Sequence, residues 1–334
     1  MPSSRRRLAI FVVLAAACAA AAVAAVAAGL RSDGQPAGAG AASALADAEA
    51  AGRPVVVFRT VESEPSQPAG RIAVAGLDPS PASPATLPRS CDRVHFAAGT
   101  GLCLARGDGF ASGYRAIVFD SDLGVRQELD LAGIPSRARV SPDGARGTVT
   151  MFVTGHTYAE AGTFSTETTL IDLERGESLG DLEEFTVTRA GEQVTAVDRN
   201  FWGVTFAAGG DRFYATMATG GRTYLIRGSV ARRAARVIRE NVECPSLSPD
   251  GSRIAFKKRV GSGAGPWRLA VLDLATMEET LLSETRSIDD QAEWLDDERV
   301  LYGIDGDVWV AHADGGGEPS RFIDGAESPA VVRW

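Results

Sequence analysis

The sequence predicts an all-β chain, a six-bladed β-propeller of four-stranded blades. Its C-terminal strand completes the N-terminal blade and closes the ring, and an apolar N-terminal helix precedes it. Three observations lead there. A four-strand unit recurs about every 40–50 residues after Pro54. The turn "SPDG" stands before an alternating strand at Ser141–Gly144 and again at Ser248–Gly251. The two ends of the chain are also complementary. Segment 54–90 supplies three strands and lacks the first of the unit, whereas 328–334 ("SPAVVRW") is a first strand with nothing after it.

The unit is clearest at 244–284. A strand "PSLS" meets the turn "PDGS", and a strand "RIAFKKR" and a loop "VGSGAGP" follow. An apolar strand "WRLAVLDL", a turn "ATM" and a last strand "EETLLSE" complete it. In the turn, Pro presets φ, Asp bonds to nearby backbone and Gly accepts positive φ. Strands apolar on both sides, such as "WRLAVLDL", suit blades buried on both faces.

Further copies lie at 92–131, 137–187, 201–241 and 291–324. Their third strands close on Asp120, Asp172 and Asp314, as the clearest copy does on Asp273. In the copy at 137–187, "LEEFTV" reads as the fourth strand. The residues before the turns, Phe96, Val140, Phe206, Leu247 and Trp294, are spaced by 44, 66, 41 and 47. The long gap reads as an insertion at 188–200 and a long loop near His156. Closing strand 328–334 onto 54–61 leaves no bare sheet edge. Six blades over 54–334 average about 47 residues each, within the propeller range.

Residues 1–30 form a separate region, a signal peptide or membrane anchor. Arg5, Arg6 and Arg7 precede an uncharged run from Leu8 to Leu30, long enough to span a bilayer and rich in weakly apolar Ala. Small residues near Ala28 offer cleavage sites, so retention and removal both stay open. "SRRRLA" is a faint twin-arginine pattern and "LAAAC" at Leu14–Cys18 a faint lipidation box. Either way the chain is expected to be exported. It would be membrane-anchored and facing outside the cytoplasm, or secreted after cleavage. Residues 31–53, rich in Ala and Gly, read as a flexible spacer.

Outside that region stand Cys91, Cys103 and Cys244. Cys91 and Cys103 flank one hairpin and are the disulfide candidate for an oxidising compartment, with Cys244 a buried thiol. The alternative is that all three are small core residues.

The formal net charge of −9 argues against nucleic acid as a partner. Reaction machinery is scarce. The three histidines, His95, His156 and His312, fall in different blades. There is no HExxH, CxxC or GxSxG, and "GSGAG" at 261–265 is a loop between strands. No catalytic, cofactor or metal residue is singled out. The carboxylates Asp289, Asp290, Asp296, Asp297 and Glu298 fit solvated turns better than a calcium loop. "ARRAAR" at 231–236 fits a solvated edge. Phe201, Trp202, Trp267, Trp294 and Trp309 read as packing between blades.

The "LSPDGSRIAF" unit resembles the repeat of TolB-like propellers, most strongly at 140–151 and 244–258. The stretch "NFWGVTF…FYATMATGGRTYLIRG" is similar to uncharacterised secreted TolB-like proteins of high-GC bacteria. The resemblance implies a six-bladed propeller. TolB itself carries an α/β domain before its propeller; here the spacer stands in that place. The expected function is a protein- or peptide-binding scaffold of the cell envelope, monomeric and without cofactor. The alternative is a lyase or glycosidase acting on an envelope glycan, which needs acid and base groups gathered at the channel.

Overall fold

A computed structural model describes residues 39–61, 69–77, 84–107, 113–153, 165–261 and 266–334. The apolar run at 8–30, His156 and most of "GSGAG" lie outside these residues. Among the described residues no helix is long and apolar enough to cross a membrane.

Residues 39–50, expected to be flexible spacer, form helix α1 (Ala39–Ala50). Its Leu45 and Ala48 are buried in one cluster with Val57, Phe96 and Val332. Apolar contact outweighs the low-complexity composition here. Gly52 ends the helix at φ 58°, where Arg53 N–H donates to the Ala48 carbonyl at 2.9 Å. The compact unit therefore starts at Ala41, ahead of Pro54.

Six sheets follow, antiparallel throughout except for one parallel pair in blade 4. Blade 1 holds β1 (Val55–Thr60), β2 (Arg71–Gly76) and β3 (Ala85–Ser90). Blade 2 holds β4 (Arg93–Ala97), β5 (Thr100–Arg106), β6 (Tyr114–Phe119) and β7 (Val125–Leu131). Blade 3 holds β8 (Ile134–Val140), β9 (Arg146–Phe152), β10 (Thr166–Asp172) and β11 (Glu177–Asp181). The end of "LEEFTV" and the expected insertion form β12 (Thr186–Arg189) and β13 (Glu192–Gln193), ahead of blade 4 with β14 (Asn200–Phe206), β15 (Arg212–Thr219), β16 (Arg222–Ser229) and β17 (Ala234–Glu240). Blade 5 holds β18 (Glu243–Leu247), β19 (Arg253–Arg259), β20 (Trp267–Asp273) and β21 (Glu279–Leu281). Blade 6 holds β22 (Glu293–Trp294), β23 (Arg299–Ile304), β24 (Asp307–His312) and β25 (Ser320–Ile323).

The last strand, β26 (Ala326–Val332), joins blade 1, pairing Val55 with Val332 and Val57 with Ala330. The expected ring closure is present, and the all-β six-bladed propeller stands. Apolar clusters fill each junction between blades, for example Leu102, Val118, Val149 and Ile171 between blades 2 and 3. Each such side chain contributes roughly 1.5–3 kcal/mol by burial.

One strand assignment is corrected. "LEEFTV" is not the fourth strand of blade 3, because β11 takes that place. Residues 182–184 form a 3-10 turn, and β12 crosses to pair in parallel with β17. Leu182, Phe185 and Val187 are drawn there by a core that includes Phe213 and Val230. The expected insertion thus widens blade 4 to six strands.

The repeated turns have a chemical reason. Ser141 Oγ accepts from Arg146 N–H at 2.9 Å, and Asp143 accepts from Ala145 N–H at 3.1 Å. Ser248 and Asp250 repeat this with Arg253 and Ser252, both at 2.9 Å. Gly144 and Gly251 both adopt φ 72°. Each closing Asp caps the turn after its strand; Asp273 accepts from Thr276 N–H at 2.8 Å and Asp314 from Gly316 N–H at 2.8 Å.

Candidate functional site

The innermost strands β4, β8, β14, β18, β22 and β26 surround the channel. In the first five, the residue just before each turn anchor is polar: His95, Arg139, Thr205, Ser246 and Glu293. Val331 takes the place in blade 1. These six line one cavity of about 700 Å³. Its rim carries the turn residues Pro142, Ala208, Pro249 and Asp250. The SPDG turns thus border the mouth.

Arg139 closes the floor. Its guanidinium donates to Glu293 and to Ser246 Oγ (2.9 Å), and lies 3.0 Å from His95 Nε2. Glu293 also accepts from Val331 N–H at 3.4 Å. Blades 1, 2, 3, 5 and 6 therefore meet at one crossbar. The side chains of Arg139 and Glu293 are 9% and 12% exposed, so the charges hold each other in a nearly dry site. Arg139 Nε has no partner among the described residues.

His95 is buried, and Val140 N–H donates to its Nδ1 at 3.2 Å. Burial, then the charge of Arg139, pushes its pKa well below the ordinary value of 6.5. The imidazole is neutral at pH 7.

Below the crossbar lies only a small cavity of about 30 Å³, lined by Arg93, Arg137 and Asp290 among others. The connection before β22 crosses it. Asp289 Oδ1 accepts from Lys257 Nζ at 2.7 Å, and its carbonyl accepts from Arg137 at 2.5 Å. Gln291 Nε2 donates to the Pro245 carbonyl at 2.9 Å, and Asp290 accepts from Ser328 N–H at 3.3 Å. One mouth is roomy and the other is filled.

Bulges set these directions. The ladders of β8, β14, β18 and β26 each shift register, at Pro135/Arg137, Trp202/Thr205, Glu243/Ser246 and opposite Val57/Arg59. Extra residues in an inner strand re-aim its side chains toward the axis.

The carboxylate cluster is divided between the two ends. Asp289 and Asp290 hold the filled end, whereas Asp296 caps its own turn, accepting from Arg299 N–H at 2.8 Å. Among the described residues no group of three or more His, Cys, Asp or Glu is placed to hold a metal. Phe201, Trp202 and Trp294 are buried between blades. Trp267 and Trp309 are only half-buried and lie under cations, Lys257 at 4.5 Å and Arg286 at 4.1 Å. Cys91 and Cys103 lie together with Cα atoms 5.5 Å apart and their sulfurs joined, while Cys244 is a buried free thiol.

No family model matches the chain, and no curated protein matches it in sequence. Solved structures do. TolB from Acinetobacter baumannii is 17% identical with a TM-score of 0.54, over 84% of this chain and 67% of that one. A chain of a nidogen/laminin complex is 10% identical with a TM-score of 0.55, over 84% of this chain and 97% of that one. The fold is that of the TolB-like propellers. At these identities the likeness speaks for architecture alone. In this TolB-like ring the sequence reading missed the channel residues. Their signal was present: a polar residue precedes the turn anchor in five blades, where a strand buried on both faces would carry an apolar one.

Proposed function

We propose that this chain is an exported TolB-like propeller that binds a protein or peptide segment at the channel mouth bordered by the SPDG turns. The observation that carries the reading is the asymmetry of the channel. One end is roomy and rimmed by Pro142, Ala208, Leu247 and Pro249, with a charged floor at Arg139 and Glu293. A mixed apolar wall over a few polar groups suits a side chain or chain end entering from outside. The two structural relatives supply the architecture for such a role and no partner. The basic and apolar residues at 5–30 support export, with the segment removed or kept as a tether.

The enzyme reading finds less support. The carboxylates lining the mouth include Asp250, Asp211 and Glu293. Asp250 is exposed on the rim, and although its partial desolvation pushes the pKa up, Ser248, Ser252 and Arg253 hold it down to about 2. Backbone and Ser229 hydrogen bonds likewise hold Asp211 low. Neither suits a general acid at neutral pH.

The test places a photo-crosslinking residue at Ala208, exposed on the rim, and separately at Val197, exposed on the insertion. Full-length chain is then irradiated in native envelope. A discrete protein adduct from position 208 and none from 197 supports the reading. Equal labelling at both positions, or recovery of a cleaved glycan, overturns it.

A further inference from the structure

Blade 4 carries a second concave site, of about 530 Å³, which meets the channel mouth at Asp211 and Arg212 and runs outward from it. Four arginines line it: Arg212, Arg227, Arg232 and Arg236. They come from β15, β16, the following turn and β17. Arg227 and Arg236 are direct cross-strand partners. Like charges placed opposite one another destabilise a sheet unless an anion lies between them. Among the described residues, no carboxylate forms an ion pair with any of the four. The groove's one carboxylate, Asp211, is engaged with Ser229 Oγ at 2.8 Å and Ala231 N–H at 2.9 Å. This occurs on a chain of net charge −9.

The added strand β12 completes this face. Arg212, Arg227 and Arg236 each stand two residues from Tyr214, Leu225 and Ile238, which pack toward blade 5. Blade 5 ends in the three-residue β21, whereas β12 and β13 extend blade 4 outward. Arg212, Arg232 and Arg236 are left exposed. β12 also brings Thr188 into register with Arg236, and Thr186 with Ala234. Guanidinium forks beside hydroxyl donors match the tetrahedral oxygens of phosphate. Four cations set against the one carboxylate of Asp211 exceed what a single phosphate needs.

We propose that this groove binds a ligand carrying two or more linked phosphate groups. "ARRAAR", a solvated edge by sequence, is then half of a site whose other half comes from Arg212 and Arg227.

The probe is inorganic tripolyphosphate, titrated calorimetrically into the full-length chain in mild detergent. The expected result is saturable one-site binding that weakens as salt rises. Arg227→Gln with Arg236→Gln should weaken it at least tenfold, and so should the more exposed pair Arg212→Gln with Arg232→Gln. Arg175→Gln, in blade 3, should leave it unchanged. Non-saturable binding overturns the proposal, as does parental affinity in both double variants when their unfolding curves match the parent. An oligoglutamate peptide that binds as tightly as tripolyphosphate overturns the phosphate assignment.

Discussion

Arg139 of blade 3 and Glu293 of blade 6 form an ion pair across the channel, although 154 residues separate them. The pair joins strands that no backbone ladder connects. A propeller ring has its weakest covalent logic at the centre, where each inner strand has a free edge. The crossbar ties those edges without filling the mouth above it.

Replacing Arg139 by Met should therefore be costly. It leaves Glu293 buried without its cation and removes the donor to Ser246. Breaking a buried pair costs about 3–5 kcal/mol. Chemical denaturation should show a loss of that size, whereas Arg139→Met with Glu293→Leu should recover most of it. Additive losses in the double variant would mean the two groups are not coupled.

Two groups should give stability opposing pH dependences. The folded pKa of His95 lies well below 6.5, so the unfolded chain takes up the proton first. Its contribution is full above about 6.5 and is lost as pH falls from there toward the folded value. Glu183 behaves in the opposite sense. Burial, aided by Asp181 and Glu167, raises its pKa to about 8, against hydrogen bonds that include one from Thr168. Stability is then lost as pH rises from about 4.5 to 8. Glu183→Gln should gain roughly 2–4 kcal/mol at pH 8 and almost nothing at pH 4. His95→Gln should remove the fall on the acid side. Unfolding free energies of the parent and both variants between pH 4 and 8 check this; parallel curves would refute it.

The Cys91–Cys103 pair should be oxidised in chain purified from an oxidising compartment. The loop it closes spans 12 residues, worth about 3 kcal/mol in the chain-entropy account. Intact mass after alkylation without reductant should show this pair protected, and reductant should lower the denaturation midpoint. Labelling of both thiols in unreduced, unfolded chain would show that the bridge is absent.

Gly203 should not tolerate alanine. It adopts φ 62°, and an added Cβ would lie 2.6 Å from Cys244 Cα. Cys244 itself is held at φ 48° with its N–H on Thr216 Oγ at 2.8 Å, so that backbone cannot yield freely. Gly203→Ala should cost about 1–3 kcal/mol from backbone strain alone, with the contact adding to it. Thermal unfolding within a degree of the parent would contradict the bulge geometry.

The sequence by itself determined the number of blades, the order of the strands in all but blades 3 and 4, and the closure of the ring. These follow from local chemistry: SPDG turns, closing aspartates and strands apolar on both faces recur at readable intervals. Even the polar position before each turn anchor was legible, at His95, Arg139, Thr205, Ser246 and Glu293. Only the tertiary structure decided what those residues do. Each points inward from a separate blade, and only closing the ring brings them within bonding distance. The same holds for α1, whose Leu45 finds a core only after Phe96 and Val332 have come together. It holds for residues 182–199 as well. Their apolar side chains could have completed blade 3, but the core of blade 4 offered Leu182, Phe185 and Val187 more burial. That choice widened one blade and laid Thr186 and Thr188 beside the arginines of β17, a contact set by competition between distant surfaces rather than by any local pattern.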